Sequence, residues 1–303
     1  MLFPAWALLT IAAAAAQTAR NAMQRDLTGR LGTIGATHVR FLFGAPFSLL
    51  FFTGLMAGTD RPLPVPPASF WAWVVAGALT QILATALMLA TMTRRSFVVS
   101  TAYLKTEPIQ VALFGLALLG DPLSPLTAAA IGIATLGVVL LSRPGATPEK
   151  PQRPDGWSAA GFGLAAAALF ALSAVGFRGA ITALPTTDPL LAAGLTLAVA
   201  LSLQAVGLSL SLALRAPATL KALALLWRPS LLAGLMGAVA SQFWFLAFAQ
   251  TSAAHVRTLA LIEVPFAQWV AARAFRQRLR GREGVGIALI LAGCLLLLQG
   301  TPD

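Results

Sequence analysis

Residues 101–110 read TAYLKTEPIQ, and they interrupt a long apolar segment with charge. The stretch places Tyr103, Lys105 and Glu107 directly in front of Pro108. An ionisable side chain inside a membrane span costs several kcal/mol unless it is paired or hydrated, and it commonly marks a functional pathway. The first question is therefore whether this segment crosses a membrane.

The amino-acid composition of the whole chain is that of a membrane protein. Its 303 residues are 58% hydrophobic and only 10% charged, and the mean hydropathy is +0.81, whereas soluble domains carry roughly a quarter of charged residues. The net charge of +11 lies in short gaps between apolar runs and not on an aromatic and basic face, so we expect no nucleic-acid partner. The composition predicts an integral membrane protein whose partner is the lipid bilayer.

Ten apolar segments approach the length of about 20 residues that a membrane-spanning helix needs. The first lacks the basic stretch that precedes the apolar part of a signal peptide, so we interpret it as a membrane helix. The predicted fold is therefore all-α, with spans at 3–23, 33–57, 68–92, 97–119, 125–142, 157–182, 189–213, 230–250, 253–274 and 283–300.

The basic residues concentrate in every second gap. The gap after the first span contains Arg20, Arg25 and Arg30, and the gap after the ninth contains a run of arginines, whereas the even-numbered gaps offer only Arg61. Short basic loops stay in the cytoplasm. This pattern predicts an inner-membrane protein with both termini on the outer, periplasmic side.

The two halves of the chain repeat each other weakly. When Glu107 is placed on Glu263, Gly137 falls on Gly293, and ALIEVPFAQW (260–269) echoes the opening stretch with its acid before a proline. Five spans are an odd number, so a second five-span unit enters the membrane from the opposite side, as in inverted-repeat transporters. We predict a first repeat at 1–143, a linker at 144–156 and a second repeat at 157–303.

These features resemble a known group of proteins. Two units of five apolar helices, an arginine in the second helix within THVRFLFGAP (37–46) and a Gly-Asp-Pro-Leu turn at 120–123 resemble the drug/metabolite transporter superfamily with paired EamA-type domains. Within it, the sequence is most similar to bacterial exporters of aromatic amino acids, of the YddG type. The resemblance implies export of amino acids by alternating access around a central cavity.

The ionisable side chains inside the predicted spans are the first candidates for functional residues. Glu107 is predicted to pair with a cation of another helix, such as Arg40 or Arg257, or else to bind a substrate ammonium or couple protons. The set of ion-pair or coupling candidates is Glu107, Glu263, Arg40, Arg257, His38 and His255. Arg40 and Arg257 lie near predicted span ends, where a long side chain can also reach the membrane surface.

Lys105 has no counterpart in the second repeat, because Leu261 takes its place. We therefore predict that Lys105 contacts the substrate and that Glu107 belongs to the scaffold. Polar and aromatic side chains in otherwise apolar helices complete the set of substrate-binding candidates, although amides in lipid also serve as links between helices. The set is Lys105, Tyr103, Gln81, Gln242, Trp244, Gln17 and Asn21.

Signatures of enzymes are missing from the sequence. It has no HExxH zinc motif, no GxSxG elbow and no Walker loop, and Cys294 is its only cysteine, so we expect neither catalysis nor a metal or other cofactor. The predicted function is secondary transport, most simply export of aromatic or apolar amino acids by a monomer. The alternatives are efflux of another metabolite or drug, or a channel or membrane scaffold.

Overall fold

The computed structural model describes residues 4–59, 62–94, 104–141, 156–265 and 281–299. Within these ranges the chain is helical between short connections, and no strand is found. The helices are α1 (Ala5–Leu42), α2 (Ala45–Ala57), α3 (Ala68–Arg94), α4 (Glu107–Leu119), α5 (Pro125–Leu141), α6 (Gly156–Ala183), α7 (Pro189–Arg215), α8 (Pro217–Leu225), α9 (Trp227–Gln250), α10 (Ala253–Leu259) and α11 (Gly281–Gln299). A single turn of 3-10 helix, Ala260–Ile262, follows α10.

The helix α1 contains a reversal of chain direction. Gly32 has φ 67° and ψ 175°, a backbone conformation that only glycine adopts without strain. The side-chain amide of Gln24 donates a hydrogen bond of 2.6 Å to the carbonyl of Ala36, although a straight helix would separate these residues by about 18 Å. The part before Gly32 is therefore the first predicted span, and the part after it begins the second, which continues through α2.

Helix length and composition confirm the predicted class. Five helical stretches in the described ranges are long and apolar enough to cross a membrane: Asp26–Ala57, Ala68–Thr91, Gly161–Ala183, Pro189–Arg215 and Trp227–Gln250. Three shorter apolar helices accompany them: Glu107–Leu119, Pro125–Leu141 and Gly284–Gln299. The protein is an all-α, multi-pass membrane protein. The number of ten spans remains a prediction, because the fourth and ninth extend beyond the described residues.

Three helix pairs form the most extensive contacts of the bundle: α3 with α6, α1 with α9, and α5 with α11. Glycine lies at the centre of such contacts, because a Cβ atom would collide with the neighbouring backbone. A Cβ built on Gly137 of α5 would lie 2.6 Å from the carbonyl oxygen of Gly286 in α11, and one built on Gly176 would lie 3.0 Å from the Cα of Gly77. Small residues thus permit the close helix packing typical of membrane proteins.

Both acid-before-proline sequences interrupt a helix. Residues 105 and 106 form a turn, and α4 begins at Glu107 with Pro108 in its first turn, where a missing N–H group does no harm. In the second half, α10 ends at Leu259 and 3-10 geometry continues to Ile262, directly before Glu263. A turn therefore lies where the sequence predicts a bend beside Pro108, and most of the span before Leu104 lies outside the described residues. Because α4 packs against α10, the two interruptions face each other.

Candidate functional site

Two ion pairs join the interrupted helices. The ammonium of Lys105 pairs with the carboxylate of Glu263, and Nε of Arg257 lies 3.1 Å from Oε1 of Glu107. All four side chains are largely buried, with 11–16% of their surface exposed. Each pair takes one residue from α4 or the turn before it and one from the α10 segment. The charges of the opening stretch therefore hold the two halves of the chain together at this point.

Arg257 also lies against aromatic rings of α9. Its guanidinium carbon is 4.6 Å from the ring centre of Trp244 and 5.6 Å from that of Phe248, which is the geometry of a cation–π contact. The indole N–H of Trp244 donates a hydrogen bond of 3.2 Å to the side-chain oxygen of Gln17. Helices α1, α4, α9 and α10 thus meet in one polar and aromatic site.

Two further arginines complete this site from α1. Arg20 and Arg40 are only 3% and 4% exposed. Both lie against Gly237, where a built Cβ would be 3.2 Å from Cδ of Arg20 and 3.6 Å from Cγ of Arg40. Gly237 is near the middle of α9, roughly 15 Å from its first residue, so both arginine side chains pass the centre of a membrane-length helix.

The site carries an excess of positive charge. Among the described residues its charged groups are the cations Arg20, Arg40 and Arg257 and the carboxylate of Glu107, and the Lys105–Glu263 pair joins the same helices. Arg20, Arg40 and Arg257 lie close enough for their charges to repel one another. We refer to Arg20 and Arg40 with Trp244, Phe248, Arg257 and Glu107 as the central site.

Arg20 is a functional candidate that the sequence interpretation missed. Its assignment to the cytoplasmic gap after the first span is wrong, because the helix continues past it and the side chain is buried. The spacing of Gln17, Arg20, Asn21 and Gln24 is i, i+3, i+4 and i+7, which places these side chains on one face of a helix. Nη2 of Arg20 donates 2.6 Å to the Asn21 side chain. This polar face was the available signal.

The structure gives Glu107 and Arg40 different surroundings. Arg257 is one of the two cations that the sequence offered to Glu107, and the ion pair between them is present. The pairing expected for Arg40 is wrong within the described residues, since no carboxylate pairs with it there. Escape of its side chain to the membrane surface is equally inconsistent with its burial. Arg40 is a charge enclosed by the bundle.

The amide candidates divide into two groups. Gln81 accepts a hydrogen bond of 2.9 Å from Gln204 of α7, which also donates 3.1 Å to the carbonyl of Ala78. This buried contact links α3 and α7, and Gln204 was not identified from the sequence. Gln17 and Asn21, by contrast, contact members of the central site. Gln242 is half-buried, and its side-chain oxygen has no hydrogen-bond partner in the part of the chain that the structure describes.

The two histidines have separate environments. His38 is fully buried, and its Nε2 lies 2.8 Å from the hydroxyl of Ser209 in α7. Nδ1 of His255 lies 2.6 Å from the hydroxyl of Ser252, which caps α10. Neither contact reaches the ion pairs described above. Tyr103 lies outside the described residues.

A further ion pair closes the end of the bundle at which α9 terminates. The guanidinium of Arg178 in α6 binds the carboxylate of Asp121 through two nitrogens, at 3.0 and 3.1 Å. Its third nitrogen donates to the carbonyls of Phe248 and Thr251, at 2.8 and 2.6 Å. Asp121 belongs to the Gly-Asp-Pro-Leu turn at 120–123, whose first residue, Gly120, has φ 67°. This contact joins α6, α9 and the connection between α4 and α5.

A surface cavity of about 460 Å³ lies elsewhere in the molecule. It is formed by the connections around Leu63 and Thr186 and by Leu191 at the start of α7. None of the residues of the central site lines it. The cavity is therefore separate from the central site.

A protein-family model matches the first part of the chain, somewhat less than half of its length. Residues 4–143 match the model of the EamA-like transporter family. The match supports the drug/metabolite transporter superfamily that the sequence features resemble, and it indicates a membrane transporter of small molecules. It ends at the predicted end of the first repeat, and the matched range contains Arg20, Arg40, Lys105 and Glu107.

Solved structures support the same fold over nearly the whole chain. There are 29 matching chains, and one of them, described only as the crystal structure of a protein, has a TM-score of 0.68 at 17% sequence identity. The alignment covers 96% of this chain and 95% of the other. At this identity the likeness shows a shared fold and nothing about the substrate. No curated protein matches.

Proposed function

We propose that the protein is a secondary transporter that exports small carboxylate-bearing metabolites with an aromatic or apolar part, for which aromatic and apolar amino acids are the first candidates. The observation that carries the proposal is the central site, where the guanidinium group of Arg257 lies against Trp244 and Phe248. The buried side chains of Arg20 and Arg40 lie against Gly237 of the same helix. Guanidinium groups bind carboxylates through charge-assisted hydrogen bonds. Aromatic walls with a few polar anchors are typical of small-molecule sites.

The depth of the site supports transport over a role at the surface. Charged side chains in a membrane interior usually mark substrate or ion pathways. In α9 the sequence from Gly237 to Trp244 and Phe248 spans the middle and one end of the helix, so the polar and aromatic side chains extend along the direction in which a substrate would move. A purely structural bundle would not need arginines at this depth that, like Arg20 and Arg40, pair with no carboxylate in the part of the chain that the structure describes.

Helix packing supports the inverted repeat that alternating access would use. In the numbering of the predicted spans, α3 is the third and α6 the sixth, whereas α9 is the eighth and α1 the first. The α3–α6 and α1–α9 contacts therefore correspond to each other under exchange of the repeats. The α4–α10 and α5–α11 contacts each join equivalent spans. Rocking of two such units about a central site is a common transport mechanism.

The same topology sets the proposed orientation. Basic gaps in the cytoplasm would place both termini outside and the Arg178–Asp121 pair at the outer end of the bundle. An inner-membrane location, a monomeric state and the likeness to aromatic amino acid exporters complete the proposal. The charge pattern of the gaps supports the orientation through the preference of short basic loops for the cytoplasm.

Counterflow in proteoliposomes tests the proposed function. Vesicles containing the purified full chain are loaded with an unlabelled compound, and uptake of the same labelled compound is followed. The panel consists of aromatic and apolar amino acids and of the corresponding carboxylates without an amino group. A carrier gives a transient, saturable accumulation that depends on the internal substrate. A channel gives only equilibration, and that result for every compound would reject the proposal.

Two tryptophans of α9 provide a matched pair of variants. Trp244 is 3% exposed and stacks on Arg257, whereas Trp227 is 49% exposed and lies beside Arg228 at the start of the helix. We expect Trp244→Phe to reduce counterflow severalfold and Trp227→Phe to leave it unchanged, at equal protein content in the vesicles. Equal effects of the two substitutions would remove Trp244 from the binding site.

A further inference from the structure

We infer that the preferred substrate is a net anion, an aromatic or apolar carboxylate without an amino group, and that Arg20 and Arg40 bind its carboxylate. The inference rests on the proposed transport function and narrows its substrate class. It assigns the main recognition to two arginines of α1 and not to Lys105, which is already engaged by Glu263.

The two guanidinium groups contain buried nitrogens that make no hydrogen bond among the described residues. These nitrogens are Nε and Nη1 of Arg20 and Nε of Arg40. Buried polar groups are nearly always hydrogen-bonded, and a buried charged donor without an acceptor is strongly unfavourable. Two such side chains at one place are therefore suited to a ligand that supplies acceptors.

Arg20 and Arg40 converge on one point of α9. Arg20 comes from the part of α1 before the Gly32 reversal, and Arg40 comes from the part after it, yet both contact Gly237. Glycine at this position of α9 leaves the side chains room, because a Cβ atom would press on Cδ of Arg20 at 3.2 Å. The planar fork of a guanidinium matches the two oxygens of a carboxylate. Two such forks that meet at Gly237 would bind one carboxylate.

The charges of the site favour an anion over a zwitterion. Glu107 and Glu263 are both paired, so a substrate ammonium would have to displace Arg257 or Lys105 to find a carboxylate. A zwitterion would also leave the excess positive charge of the site unchanged. An anion reduces that excess and relieves the repulsion between Arg20, Arg40 and Arg257. In a weakly polar interior such charge interactions are large.

One face of α9 provides a position for the apolar part of the substrate. Gly237, Ser241, Trp244 and Phe248 follow each other at spacings of four, three and four residues, so they share one face of α9. The Trp244 and Phe248 rings are stacked, with centres 6.4 Å apart and planes inclined by 23°. A carboxylate near Gly237 would therefore place an attached aromatic ring along this aromatic face.

Three compounds with the same phenyl and two-carbon framework separate the charge classes. They are 3-phenylpropionate, an anion; L-phenylalanine, a zwitterion; and phenethylamine, a cation. Binding to the purified full chain in detergent is measured by titration calorimetry at neutral pH. We expect 3-phenylpropionate to bind at least about tenfold more tightly than phenylalanine, which is the effect of one modest charge interaction. Phenethylamine should show no saturable binding.

Substitutions then identify the residues responsible. Arg40→Gln should raise the Kd for 3-phenylpropionate by about tenfold to a hundredfold, as expected for loss of a charged hydrogen-bond donor. Arg40→Lys should restore part of the loss, because the charge returns without the fork. Arg228→Gln is the control, since Arg228 is exposed at the start of α9. If Arg40→Gln does not accumulate, Arg20→Gln provides the same comparison.

A second measurement distinguishes binding from a structural role. Without ligand, Arg40→Gln should melt at the same temperature as the unmodified protein or at a higher one, because repulsion among the arginines is relieved. Its melting temperature should no longer rise when 3-phenylpropionate is added. A lower melting temperature without ligand, together with unchanged binding, would assign Arg40 to the scaffold and overturn the inference.

The compound series also separates this inference from the proposed function. Tighter binding of phenylalanine than of 3-phenylpropionate, with counterflow of amino acids intact, would overturn the anion preference and leave the transporter proposal standing. Absence of binding by all three compounds together with absence of counterflow for the whole panel would overturn both.

Discussion

Substitutions of Glu107 and Arg257 test whether their ion pair joins the two halves of the bundle. We consider Glu107→Gln, Arg257→Gln and the double substitution. Because Arg257 also faces the charges of Arg20 and Arg40, the two single substitutions should differ. Loss of Glu107 leaves three neighbouring cations without their carboxylate, whereas loss of Arg257 removes one of the mutually repelling charges.

The geometry sets the size of the effect. Nε and Oε1 are 3.1 Å apart, and the side chains are 11% and 16% exposed. With an effective dielectric constant of about 20, two unit charges at this distance attract by about 5 kcal/mol, and the cost of removing them from water offsets much of this. Removing one partner of a buried pair typically costs about 3–5 kcal/mol. We expect Glu107→Gln to approach this range and Arg257→Gln to cost less.

The double substitution measures the interaction itself. We expect a coupling energy of about 1–3 kcal/mol, the range for residues in direct contact. The free energy of unfolding is obtained by titrating the protein with a denaturing detergent in mixed micelles and following helix content. The control cycle combines Glu107→Gln with Arg228→Gln, where the second cation is exposed and outside the site, and these two effects should add.

Two outcomes would contradict this account. Additive effects of Glu107→Gln and Arg257→Gln, within about 0.5 kcal/mol, would show that the pair does not join the helices. A larger cost for Arg257→Gln than for Glu107→Gln would show that the cation–π contact with Trp244 outweighs the repulsion among the arginines. The charge balance used for the central site would then be incorrect.

Two further predictions concern helix contacts outside the central site. Gly137→Ala should destabilise the protein by about 1–3 kcal/mol, the usual cost of overpacking, because the new Cβ would lie 2.6 Å from the Gly286 carbonyl; the control is Gly132→Ala in the same helix, where nothing lies within 4 Å and no loss of the unfolding free energy is expected. Gln204→Leu should cost about 1–3 kcal/mol, since it leaves the buried Gln81 side chain without its donor, and the double variant with Gln81→Leu should recover much of this loss. Detergent unfolding measures both, and equal stabilities of Gly137→Ala and Gly132→Ala, or no recovery in the double glutamine variant, would contradict these contacts.

Much of the fold could be predicted from local sequence properties. A membrane-spanning helix satisfies its own backbone hydrogen bonds, so its presence depends on the hydrophobicity of one segment and little on distant residues. For this reason the all-α membrane class and the positions of most helices followed from the chain alone. The break beside Pro108 followed in the same way, because proline acts on the turn of helix that contains it.

The site was only partly predictable, because its residues are distant in sequence. A polar helix face around Arg20 was present in the sequence, but an arginine near a span end has the same pattern whether it faces a cytoplasmic loop or the protein interior. The Gly32 reversal and the packing of α1 on α9 decided between these alternatives. Lys105 and Glu263 are likewise 158 positions apart by their numbers, and nothing local relates them.

The sequence by itself thus determined that the chain crosses the membrane as helices, that ionisable groups such as Glu107 and Arg40 lie within them, and where the helical geometry breaks before α4 and after α10. The tertiary structure alone decided which charges neutralise each other. Glu107 and Glu263 pair with cations of the opposing segment, whereas Arg20 and Arg40 meet at Gly237 and pair with no carboxylate of the described residues. The physical reason is that hydrophobicity acts on each segment separately, while an electrostatic interaction depends on distances that only the packing of helices sets.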